Sequence, residues 1–115
     1  MDDRKSILTS IKKLHGISKE DTSFDMDITM LINSALLTLT QIGLGPSEGF
    51  YIEDDTKEWT DFVDDAVMAE SIATYVYVKV RLVFDPPASP TVVEALKSSA
   101  NEYLWRFQYG MEQDQ

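Results

Sequence analysis

Residues 64–87, DDAVMAESIATYVYVKVRLVFDPP, constrain this chain more than any other stretch: about twenty residues run without a breaker and then meet two prolines. The second half taken alone alternates like a half-buried strand, with Val76, Val78, Val80, Leu82 and Phe84 set against Tyr75, Tyr77, Lys79 and Arg81. Over the whole stretch, Ala69, Ile72, Ala73, Val76, Val80, Val83 and Phe84 instead recur at helical spacing, and Ala66, Met68 and Glu70 are strong helix formers. Strands are usually five or six residues long, whereas a helix of this length is ordinary. The β-branched run lowers helix propensity by only tenths of a kcal/mol per residue, which burial overrides. The expectation is a helix over 65–84 with Val76, Val80 and Phe84 inward, and with Tyr75, Tyr77, Lys79 and Arg81 on its outer face. Pro86 disfavours helical geometry at Asp85, and Pro87 does so at Pro86, so Asp85, Pro86 and Pro87 form a structural corner.

The other elements follow from the same reasoning. Ile7, Leu8, Ile11 and Leu14 predict a short amphipathic helix over 3–14, with Lys12 and Lys13 on the far side and Gly16 as its stop. Asp2 and Asp3 suit its positive end, the two lysines and His15 its negative end. Ile28, Leu31, Ile32, Ala35, Leu36, Leu39 and Ile42 predict a second helix over 25–42, capped from among Asp21, Thr22, Ser23 and Asp25 and ended by Gly43, Gly45 and Pro46. Met30 and Leu37 widen its apolar face, which suits a helix lying between others. Ser89 and Pro90 open a last helix over 90–108, where Val92, Val93, Leu96, Ala100, Tyr103, Leu104 and Phe107 share a stripe, before Gly110 and a polar tail over 110–115. Residues 44–62 read as a long structured loop with a brief helical turn around Trp59 and Phe62. The fold class is all-α: one compact four-helix domain over 1–115, with that loop between helices 2 and 3.

Chemistry is scarce. The chain has no cysteine and one histidine, which excludes thiolate chemistry and leaves a catalytic scheme short of parts. His15 reads as a surface histidine at a helix end. The run Glu53, Asp54, Asp55 lacks the alternating ligands, central glycine and closing glutamate of an EF-hand, and GLGPSEG lacks the lysine of a phosphate loop. Asp64 and Asp65 read as a solvated helix start. No catalytic residue, metal site or cofactor is expected, and the chain is not read as an enzyme. The opening MDDRKSILTSIKK is charged where a secretory signal is apolar, and no stretch reaches a membrane span, so a soluble protein without membrane contact is expected. Twenty acidic against ten basic residues argue against binding a phosphate backbone.

The aromatic residues are more informative. Phe50, Tyr51 and Trp59 crowd the long loop, while Trp105 and Tyr109 lie four residues apart to one side of the apolar stripe of the last helix; if both stripes are apolar, the helix has more apolar surface than one small domain needs, and the pair is either half-buried within the subunit or a subunit contact.

In the order of these elements the chain resembles the small helical head-tail connector proteins of tailed bacteriophages, the adaptor type grouped with DNA-packaging proteins of siphoviruses and prophages. The resemblance rests on GISKEDTSFDMDITMLINSAL after the opening helix, on QIGLGPSEGFYI ahead of Trp59 and Phe62, and most of all on YVYVKVRLVFDPPAS leading into VVEALKSSANEYLWRF. It implies a non-enzymatic virion component at the head-tail junction, present in the bacterial cytoplasm during assembly. It further implies a ring oligomer beneath the portal protein, compatible with a monomer in solution, that meets a tail-proximal or stopper protein on its other side. DNA passes through such a channel without specific binding. Phe50, Tyr51, Ile52, Trp59, Trp105 and Tyr109 are the expected assembly contacts. The rival reading is a small acidic regulatory module that mimics phosphates on one continuous face; a third is an enzyme subunit using a carboxylate-bound metal.

Overall fold

A computed structural model of the chain describes residues 5–113, with side chains placed up to residue 110. The four expected helices form, and the turn at Trp59 makes a fifth: α1 (Ile7–Leu14), α2 (Asp25–Gln41), α3 (Trp59–Phe62), α4 (Ala66–Phe84) and α5 (Pro90–Gln113). Among the described residues there is no strand, only an isolated bridge between Ser6 and Glu58.

The stretch 66–84 is helical throughout, and α4 is the axis of the molecule, packing against each of the other four helices. Asp65 caps it, its Oδ1 accepting from the amides of Val67 at 2.9 Å and Met68 at 3.4 Å. It ends at Phe84, where Asp85 has left helical geometry with φ −146° and ψ 68°, as a residue before proline should. Val76 and Val80 are fully buried and Phe84 partly so, while Val83, expected on the same stripe, faces out. Tyr75 departs from expectation too: it is core rather than outer face, and its ring meets Phe107 edge-on at 6.1 Å. A helix enclosed on several sides has little outer face left, which the strand-like alternation in its second half could not reveal.

Helix α1 begins at Ile7, so the expected start at residue 3 and the aspartates Asp2 and Asp3 fall partly or wholly outside the described residues. The N-cap is Ser6, whose Oγ accepts from the Thr9 amide at 3.2 Å. Gly16, with φ +75°, closes the helix as expected. Lys12 corrects the sequence reading: it is 2 % exposed, its ammonium pairs with Asp25 Oδ1 at 2.8 Å, and it donates to the Lys19 carbonyl at 3.2 Å. Leu14, by contrast, is largely exposed. Helix α2 therefore starts without the expected side-chain cap. Phe24 occupies the N-cap position, and Asp25 serves the ion pair that ties the start of α2 to the end of α1.

Ile28, Ile32, Ala35, Leu36 and Leu39 of α2 are buried between α1 and α4. Met30 and Leu37 do not join them: both are exposed, and with Met26 they mark an apolar stripe on the outer side of α2. The last helix runs five residues past its expected end at 108, reaching Gln113. Gly110 lies inside it without a positive φ, because one glycine costs a helix only about 1 kcal/mol and does not terminate it.

Candidate functional site

The connection between α2 and α3 holds three of the six expected contact residues, with Trp59 at its end opening α3, and it is pinned at two places. The Asn33 side chain, projecting from α2, treats Ile52 as a neighbouring strand would: Oδ1 accepts from its amide at 2.8 Å and Nδ2 donates to its carbonyl at 2.9 Å. At the other end the chain clasps its own beginning. Ser6 Oγ donates to the Asp55 carbonyl at 2.8 Å, the Ile7 amide to Lys57 O at 2.9 Å, and the Trp59 amide to Lys5 O at 3.1 Å. Gly45, at φ +78°, lies so close to Phe62 that a β-carbon there would stand 2.4 Å from the ring. The long loop is thus structured, as expected.

These anchors sort the candidate residues. Ile52 and Trp59 are buried inside the subunit, Trp59 donating from Nε1 to Ser10 Oγ at 2.9 Å, so in the isolated chain both are core residues rather than open contact surface. Phe50 is half-buried against Phe62, ring centroids 5.2 Å apart. Tyr51 turns the other way and is 63 % exposed. On α5, Trp105 and Tyr109 are exposed and stack on each other almost parallel, 5.2 Å apart with 9° between the planes. Asp85, Pro86 and Pro87 form the corner between α4 and α5. Sequence reasoning did not single out Met26, and the signal was available: positions 26, 30, 33 and 37 share one line along α2, and Met26, Met30 and Leu37 are its apolar members.

His15 is no surface histidine. Its ring lies 5.1 Å from Tyr77 and 5.7 Å from Phe84, and both ring nitrogens are buried without a hydrogen-bond partner. Burial, reinforced by the nearby Arg81 guanidinium and opposed by Asp85, holds its pKa below the ordinary 6.5. Burial likewise raises the Tyr75 phenol. The Asp54 carboxyl is held below its usual range by hydrogen bonds from Thr56 Oγ1 at 2.6 Å and the Thr56 amide at 2.9 Å.

Among the described residues no three histidine, aspartate or glutamate side chains come together in a way that could hold a metal ion, and no helix is long and apolar enough to cross a membrane. The exposed features that stand out are the stacked pair on α5, Tyr51 on the loop and the methionines of α2. A family model described as phage connector protein matches residues 7–114, nearly the whole chain. No curated protein and no solved structure matches it.

Proposed function

Because the chain belongs to the phage connector family, a structural family of the virion rather than an enzymatic one, we propose that it is a head-tail adaptor whose copies close into a ring beneath the portal protein. In this reading one side of the ring meets portal, the other receives a tail-proximal or stopper protein, and the central opening continues the DNA channel. The observation that carries the ring is the Trp105–Tyr109 stack. Helix α5 packs chiefly against α4, and its two exposed aromatic rings stack in nearly parallel planes, leaving half or more of each residue open to solvent. Burying such a pair on a neighbour is worth several kcal/mol at about 25 cal/mol per Å², and aromatic residues are enriched in the cores of interfaces. A contact between α5 of one copy and a different surface of the next is heterologous, the kind that closes into rings. The acidic balance supports a channel that DNA traverses without sticking.

The test is Trp105→Ala in the assembling phage. Since the ring is exposed, the purified variant should keep its urea midpoint to within about 0.5 kcal/mol of stability. Electron microscopy should then show portal vertices without the additional ring, and the yield of tailed particles should drop. Normal rings at normal yield would overturn the assignment of this surface.

A further inference from the structure

Two shallow grooves flank one acidic ridge. The first, about 570 Å³, lies between Tyr51 and the ridge Glu53–Asp54; the second, about 500 Å³, lies between the same ridge and Met26 and Met30 of α2. Met26 and Met30 sit one turn apart and are 78 % and 66 % exposed. Methionine is an adaptable apolar contact, and a pair of them open to solvent along one line of a helix is surface that a partner would cover. The ridge does not need to form on binding. Asn33 anchors it on one side and Ser6 on the other, and Thr56 fixes the Asp54 carboxylate in place.

We propose that this surface docks a cationic amphipathic segment of another protein, with lysine or arginine side chains on the Glu53–Asp54 ridge and apolar side chains on Met26 and Met30. The choice of occupant comes from charge. Further carboxylates, Glu48 and Asp61 in one groove and Asp55 in the other, join the ridge; they outnumber the lysines on the same walls, Lys57 in the first groove and Lys19 in the second, while Lys12 and Asp25 neutralise each other. A second copy of this chain brings a net charge of −10, and the arginine beside its own exposed aromatics, Arg106, is paired with Glu102. Nucleic acid brings phosphates. Both are repelled by the ridge, whereas a basic helix or strand with an apolar face satisfies the carboxylates and the methionines together. The inference goes beyond the adaptor reading: it names the chemistry of a partner segment on a surface separate from the Trp105–Tyr109 stack, so either can fail without the other.

The test uses the full chain, isotopically labelled for NMR and titrated with a synthetic helical peptide carrying lysines on one face and leucines on the other. A counterpart with glutamate in place of lysine serves as the control. Amide shifts should concentrate in residues 25–30 and 50–57, and the glutamate peptide should not bind. Met26→Ser with Met30→Ser, and Glu53→Gln with Asp54→Asn, should each weaken binding by about tenfold, whereas Asp64→Asn with Glu70→Gln, outside the grooves, should change it less than about twofold. If the Asp54 substitution disturbs the Thr56 turn, Glu53→Gln alone carries the charge test. Shifts spread over the whole acidic surface, equal weakening by the control pair, or binding of the glutamate peptide would overturn the proposal. So would concentration-dependent shifts at Met26 and Met30 without any peptide, which would make a second copy the occupant.

Discussion

Replacing Asn33 with alanine removes both hydrogen bonds that hold Ile52, and the size of the loss follows from where they sit. Ile52 is 1 % exposed, and its amide and carbonyl meet Asn33 in a partly buried setting at 2.8 and 2.9 Å. Each bond contributes about 0.5–1.5 kcal/mol net, and a peptide group left partly buried without a partner adds to the cost, so the variant should lose about 2–3 kcal/mol. For a domain of this size that is a large fraction of a total near 5–15 kcal/mol, and it corresponds to a fall in Tm of about 10 °C. Urea unfolding followed by circular dichroism measures it, with Ser34→Ala, the exposed next residue, as the reference expected within about 0.5 kcal/mol of the native protein. Asn33→Asp sharpens the test. It keeps an acceptor for the Ile52 amide but turns a carboxylate oxygen toward the Ile52 carbonyl, so at neutral pH it should be at least as destabilising as alanine. If Asn33→Ala matches Ser34→Ala, the loop is held by its apolar side chains alone and the reasoning fails.

Further outcomes are expected from the same description. Gly16→Ala and Gly45→Ala both place a side chain at positive φ, at a cost of about 1–2 kcal/mol, but only the second drives a β-carbon into Phe62; urea midpoints should show Gly45→Ala worse by roughly another 1–3 kcal/mol, and equal losses would mean that Phe62 moves aside freely. Lys12→Met should cost about 1–3 kcal/mol because Asp25 loses its partner in a partly buried setting, and adding Asp25→Asn should recover part of it; additive losses in the double-mutant cycle would show that the pair is not coupled. The lowered pKa of His15 makes its neutral form the one the fold prefers. Its contribution is present above the unfolded value near 6.5 and is lost as pH falls from there through the folded value, so thermal melts should show a steeper drop in Tm between pH 7 and pH 5 for the native chain than for His15→Phe. Parallel profiles would mean that the ring is solvated in solution.

What was legible in the sequence was whatever depends on near neighbours. The length of α4, its stop at Asp85-Pro86-Pro87, the glycine after α1 and the stacked spacing of Trp105 and Tyr109 all come from residues within one or two turns of each other. The misreadings involve partners far along the chain. Lys12 looked like a far-side lysine because Asp25, which buries it, belongs to the next helix. Its place beside Leu8 and Ile11 on the helical wheel was the only local hint. His15 looked exposed because Tyr77 and Phe84 lie more than sixty residues away. Ile52 and Trp59 looked like contact residues because an aromatic loop reads as sticky until its anchors, Asn33 and Ser10, are known. Gly110 misled for a different reason: a glycine ends a helix when the chain must turn left-handed after it, and at α5 nothing requires that turn.

The clasp between residues 5–7 and 55–59 bears on the order in which the molecule is made. Its hydrogen bond from Ser6 to Asp55 spans 49 positions, so a long stretch of chain must be brought round before that bond offers any return, whereas α1, α2 and α4 each gain from contacts a few residues apart. The first turn and the long loop are therefore expected to lock late and together, each being the other's template. Hydrogen exchange at the Ile7 and Trp59 amides should then report one shared opening event, and different opening free energies at the two sites would show that they open separately. A perturbation at residues 5–7 would accordingly be felt at the Glu53–Asp54 ridge, nearly fifty residues downstream in sequence and next to the clasp in space.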